Sequence, residues 1–176
     1  MKVSRTFCVR AATPLGQVGG VTMVKFAWKS QYETGIPIID EQHKRLFAAL
    51  DQVQDAVVHE SPKDEIRGMV QALMADTREH FRTEEAIMAH HGFPDLLAHI
   101  REHELLVEKL EELNQRFEES QDSMALMMTT FMGGWLRHHI SEGDLNYAQY
   151  IKSGQVTASS PDLLLALWDQ GAITFL

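Results

Sequence analysis

At 176 residues, 44% hydrophobic and 23% charged, the chain is long enough for one domain with a sizeable core and some tail. A net charge of -9 leaves no basic face for nucleic acid, and no run approaches the roughly 18 apolar residues of a membrane span. The single Cys8 rules out an intramolecular disulfide, and the basic N-terminus lacks the apolar core of a secretory signal, so a cytoplasmic protein is expected.

Residues 1–22 contain Pro14, Gly16, Gly19 and Gly20 and no apolar periodicity. They read as a flexible leader, with Met23 a candidate start of the functional unit. Residues 24–38, with Trp28, Tyr32, Gly35 and Pro37, read as an extended arm. A first helix is expected over about 40–59, its stripe formed by Ile39, Leu46, Phe47, Leu50, Val53 and Val57, with His43 inside that stripe. Ser61-Pro62 reads as an N-cap followed by a proline at the first helical position. The second helix then runs to about 91, with Ile66, Met69, Leu73, Thr77, His80, Glu84 and Ile87 or Met88 on one side, and Gly92 ends it. A third, over about 95–119, carries Leu96, His99 or Ile100, His103, Leu106, Leu110, Leu113 and Phe117, while Glu102, Glu104, Glu108, Glu111 and Glu112 form its wet face. A fourth runs from about 122 to 151 with Met124, Met128, Phe131, Trp135 and His139 on its stripe.

Four amphipathic helices joined by short loops predict an all-α, up-down-up-down four-helix bundle over 23–152. The extended arm precedes it. After Gly154 a C-terminal extension, 153–176, holds a short capped apolar segment at 162–168. That segment reads as a short helix packed on the bundle, or as a docking or self-association element.

Each stripe carries ionisable side chains at a level where a plain bundle carries leucine. His80 and Glu84 lie one helical turn apart, as do His99 and His103. Together with His43, His139 and Asp144 they make five imidazoles and two carboxylates, whose burial without partners is very unfavourable. Seven ligands exceed the four of a zinc site and suit two first-row metals bridged by the carboxylates. Five nitrogens split three and two leave one metal an open position, and a nitrogen/oxygen set without thiolate suits iron. The Glu-x-x-His motif of carboxylate-rich bundle di-iron sites is absent, so this set is nitrogen-rich, which favours reversible oxygen binding over activation. Asp144 follows His139 by five residues, about 140° around an ideal helix. Either a π-turn near Gly143 brings it inward or it lies on the surface.

These residues resemble the hemerythrin family, in particular its single-domain bacterial members. The resemblance runs through Trp28, Tyr32, Gly35-Ile36 and the stretch from Ile39 to Leu46, then from His80 to Met88, Pro94, His99 and His103. It closes with Trp135 to Ile140 and Asp144, covering about 25–152. It implies reversible O2 binding at a non-haem di-iron centre. His99, His103 and His139 would bind the closed iron, and His43 and His80 the iron with the open position. Glu84 and Asp144 would bridge, beside an oxo or hydroxo group, which turns Asp144 inward. The resemblance also assigns Leu46, Phe81, Trp135 and Ile140 to an apolar O2 pocket. Glu85 is read as exposed or supporting a ligand, not as a ligand, and His59, His90, His91 and His138 as solvated. The expected role is oxygen carriage, storage or delivery to an oxygen-consuming partner. The alternatives are an O2 or redox sensor signalling through the tail, and peroxidase or nitric-oxide chemistry at the same irons.

Overall fold

A computed structural model describes residues 25–119 and 123–154. The leader at 1–22 and the apolar segment at 162–168 lie outside the described residues.

The helices are α1 (Pro37–Val58), α2 (Lys63–His91), α3 (Leu96–Glu118) and α4 (Ser123–His139); a π-turn, Ile140–Asp144, joins α4 to α5 (Leu145–Lys152). The packed pairs are α1 with α2, α2 with α3, α3 with α4, and α4 back onto α1. This closed ring of neighbours, joined by short connections, is the up-down-up-down bundle. No helix among the described residues is long and apolar enough to cross a membrane.

The bundle starts earlier than its apolar stripe. Pro37 occupies the first turn of α1, where its fixed φ suits the helix and its missing N–H leaves no donor unpaired. Asp40 then ties down the arm: its Oδ1 accepts from the Thr34 backbone and hydroxyl, both at 2.8 Å, and its Oδ2 from Gly35 N–H at 3.0 Å. Further back, Phe26 is buried directly over Gly133 of α4, and Tyr32 stacks on Phe47 with ring centroids 5.5 Å apart.

Ser61 belongs to the end of α1 and not to the start of α2. Its N–H reaches back to the Ala56 carbonyl at 2.9 Å while Glu60, at φ 54°, takes the left-handed position of the reversal. Pro62 is therefore the residue flanking α2, and no side-chain cap opens that helix. Gly92, at φ 65°, ends α2 in a second reversal of the same kind. On α4, Phe131 is 40% exposed and Met132 is buried in its place.

The core comes in two pieces. The larger, built on residues such as Leu50, Leu73, Leu110 and Met128, fills one end of the bundle; a smaller one, Met88, Ala89, Phe93, Leu96 and Tyr147, fills the other. Between them lies a buried polar layer to which all four helices contribute.

Candidate metal centre

His43 comes from α1, His80 and Glu84 from successive turns of α2, His99 and His103 from successive turns of α3, and His139 from the last position of α4. Asp144 ends the π-turn. Its five-residue spacing from His139 fits a turn closed by i→i+5 bonds, which swings the carboxylate onto the inner face. The turn passes close to the site at Gly143, where a Cβ would stand 3.1 Å from His99 Cε1 and 3.4 Å from the His139 ring. All seven side chains are at most 5% exposed.

They form two groups that share one carboxylate. Glu84, His99, His103 and His139 offer ligand atoms within 4.8 Å of one another, and so do His43, His80, Glu84 and Asp144. In the first group His139 Nε2 stands 2.9 Å from His103 Nε2 and 3.1 Å from His99 Nε2. In the second, the His43 and His80 Nε2 atoms are 3.1 Å apart. Asp144 spans both: its Oδ1 lies 3.2 Å from His139 Nε2 and its Oδ2 3.2 Å from His43 Nε2. Glu84 Oε2 lies 3.4 Å from His80 Nε2 and 3.5 Å from His103 Nε2.

The outer nitrogens settle which ring atoms face inward. His103 Nδ1 meets Glu85 Oε1 at 2.8 Å, His139 Nδ1 meets Glu102 Oε2 at 3.0 Å, and His80 Nδ1 meets Gln42 Oε1 at 3.2 Å. These acceptors call for Nδ1–H donors, which turns the Nε2 atoms toward one another in the centre. The Gln42 amide is itself oriented by Nε2–H donation to Thr83 Oγ1 at 3.1 Å. Tyr147 donates its hydroxyl to Glu84 Oε1 at 2.8 Å, which leaves Oε2 facing the imidazoles.

The protonation pattern reflects the crowding. Burial drives His80 and His139 down to about 3. His103, although burial opposes its charge, is pushed up to about 9 by Glu84 and Glu85. Burial also opposes ionisation of Glu84, yet His80, His103 and His99 together hold its carboxyl well below the usual carboxylate range. Burial, reinforced by Glu84 and Asp144, raises the Tyr147 phenol far above its ordinary value, so it stays a donor.

The layer suits cations. His43 Nδ1, Glu84 Oε2 and both oxygens of Asp144 are buried and make no hydrogen bond. Orphaned carboxylate oxygens beside converging imidazole nitrogens are a severe imbalance in a dry interior. Two metal ions, one per group, would take these carboxylate oxygens and the facing imidazole Nε2 atoms as ligands.

Of the supporting residues, Gln42, Tyr147 and the role of Glu102 escape the sequence. Glu102 belongs to the acidic face of α3, and its side chain is 59% exposed even while it accepts from His139. Periodicity cannot mark such a residue, because it touches the site only with its tip. Tyr147 follows Asp144 by three residues on the same helical face, and that spacing is a signal that could have found it. His59, His90 and His138 are exposed and His91 is partly so.

Comparison with known proteins agrees with this geometry. A family model described as the hemerythrin HHE cation-binding domain matches residues 34–151. The bacteriohemerythrin of Stenotrophomonas maltophilia is 28% identical over 131 residues, covering 74% of this chain and 84% of that protein. That of Clostridium acetobutylicum is 30% identical over 126 residues, covering 69% of this chain and 98% of that protein. The myohemerythrin of Theromyzon tessulatum is 25% identical over 122 residues, 69% of this chain and 90% of that protein. With the matched segment spanning the arm's end, all four helices and the π-turn, the chain belongs to the hemerythrin family.

Proposed function

We infer that the chain binds O2 reversibly at a non-haem di-iron centre and serves oxygen carriage, storage or delivery to an oxygen-consuming partner. The observation that carries this reading is the pair of buried ligand groups sharing Glu84, with Asp144 reaching both, in a set rich in nitrogen and free of thiolate. His99, His103 and His139 would hold one iron, His43 and His80 the other, and Glu84 and Asp144 both. When bound, the iron pair supplies the electrons that O2 takes up and gives back. The chain's own residues do the rest. Gln42, Glu85 and Glu102 fix the imidazole tautomers, and Tyr147 fixes the rotation of Glu84.

Reversibility needs a dry, unreactive wall beside the open position. Leu46, Phe81 and Ile140 are at most 4% exposed and share one apolar cluster, against which Trp135 packs. Phe81 lies flat on the His103 ring with centroids 3.7 Å apart, and Trp135 on the His139 ring at 4.2 Å. These four side chains carry no titratable group, so they exclude water without offering a proton. That favours an oxygen binder over an enzyme. A cytoplasmic location completes the reading, resting on the lone cysteine and the composition.

The test is the absorption spectrum of the reduced, iron-loaded protein before and after air. A charge-transfer band that develops with O2 and vanishes on deoxygenation is the expected result. Immediate irreversible oxidation, with no band that can be removed, would overturn the reading in favour of sensing or catalysis.

A further inference from the structure

The polar layer meets water on one side only partly sealed. Where the π-turn passes α3, a pocket of about 160 Å³ opens to solvent, with His99 and His139 at its floor and Gly143 beside them. Its lining includes three carboxylates, Asp95, Glu102 and Glu142, and no lysine or arginine. The volume has room for about five water molecules, enough for a divalent cation that keeps part of its hydration shell.

One observation beyond the acidic rim points to a cation. His99 is 5% exposed, its Nε2 is turned to the centre, and its Nδ1 has no hydrogen-bond partner among the described residues, unlike the outer nitrogens of His80, His103 and His139. Glu102 stands half in solvent and half in the site, with Oε2 at 3.0 Å from His139 Nδ1. A carboxylate so placed can meet a cation in water at the outer edge of the three-histidine group. An approach past Leu46, Phe81, Leu136 and Ile140 meets an apolar wall at most 4% exposed. A charge crossing that wall loses its hydration with nothing to replace it. Gly143 keeps the polar route open, since a Cβ there would crowd both imidazoles.

Resting on the di-iron reading, we propose that this pocket is the inlet through which ferrous iron enters the centre, with Asp95 and Glu142 drawing the cation in and Glu102 passing it to the three-histidine group. Gas and metal then use separate doors, one apolar and one acidic.

The experiment follows Co(II) uptake by the metal-free full chain, read by the growth of visible ligand-field absorption on mixing. Neutralising the rim with Asp95→Asn and Glu142→Gln is expected to slow uptake by about tenfold at low salt, as loss of electrostatic steering does. The gap should narrow in high salt, while two ions per chain are still bound at the end. Glu102→Gln is expected to slow uptake further. Glu65→Gln with Glu111→Gln removes the same charge from exposed positions toward the other end of the bundle and should leave the rate as it was. Equal rates for the rim variant and the unaltered chain would overturn the inlet, as would equal slowing by the remote pair. Binding of fewer than two ions by the unaltered chain would instead defeat the di-iron reading itself. A variant that unfolds is recognised by its circular dichroism. Gly143→Ala, which narrows the same opening sterically, then supplies the second arm: normal uptake by it overturns the proposal.

Discussion

Glu85 illustrates how much of a metal centre lies outside its ligands. The residue follows Glu84 directly, is 8% exposed, and spends its carboxylate on His103 Nδ1. Losing such a partner typically weakens metal binding by about 10- to 100-fold. Glu85→Ala should therefore show that loss in a chelator competition titration, whereas Glu104→Ala, on the wet face two residues past Glu102, should bind as the unaltered chain does. The same contact sets a pH dependence. With its folded value near 9, His103 carries a proton through neutral pH, and an ion at Nε2 must displace it. Apparent metal affinity should rise with pH until about 9, and loading at pH 7.5 in weak buffer should release a proton that an indicator dye detects. His80 and His139, held near 3, have no proton to give. Their depressed values also set the acid limit of the metal-free fold. The stability they lend is present above the unfolded value of 6.5 and is lost as pH falls from there toward 3, whereas that from His103 is present below 6.5 and lost as pH rises toward 9. The metal-free protein should accordingly unfold more readily in urea at pH 5 and at pH 9.5 than near 6.5.

At the scale of elements, α4 carries two glycines with opposite meanings. A Cβ at Gly133 would stand 1.9 Å from Phe26 Cε1, and one at Gly134 would meet nothing within 4 Å. Alanine gains about 1 kcal/mol over glycine in a helix interior, so Gly134→Ala should stabilise the protein. At Gly133 that gain is opposed by the displacement of a buried aromatic ring, and overpacking of this kind costs about 1–3 kcal/mol. Gly133→Ala should be net destabilising in chemical denaturation, and should turn stabilising in a Phe26→Ala background where the ring is gone. The helices that the sequence made hardest to read are those where packing overrides periodicity. α4 is apolar nearly all round between Met124 and Met132, so its stripe could be drawn through Phe131 or Met132, and only contact with the neighbouring helices decides for Met132. Ser61 has the composition of a cap, but the end of α1 claims its N–H first. The inward turn of Asp144 depends on an i→i+5 closure around Gly143, which no 3.6-residue period contains.

Over the whole molecule, the pattern of four stripes interrupted at one level was legible because each interruption replaces a core residue with an ionisable one. The supporting shell was not, because Glu102 and Gln42 reach the site from positions that periodicity assigns to other duties. That layer also divides the apolar core into two clusters, so neither end of the bundle is held to the other by continuous hydrophobic packing. In the metal-free state the layer contributes orphaned carboxylate oxygens in place of bonds. Binding to the folded chain alone stabilises it by about 4 kcal/mol per site when free metal stands about a thousandfold above its dissociation constant. For a chain of this size each kcal/mol moves the melting temperature by about 2–4 °C. Removing both ions with a chelator should hence lower the melting temperature by about 15–30 °C, and adding metal back should restore it. The loss should fall on both ends of the bundle. Hydrogen exchange of the metal-free protein is expected to accelerate around Leu73 and Leu110 as well as around Met88 and Tyr147, because the ions are what join the two clusters into one cooperative unit. Faster exchange confined to the smaller cluster would show that the larger core stands alone without them.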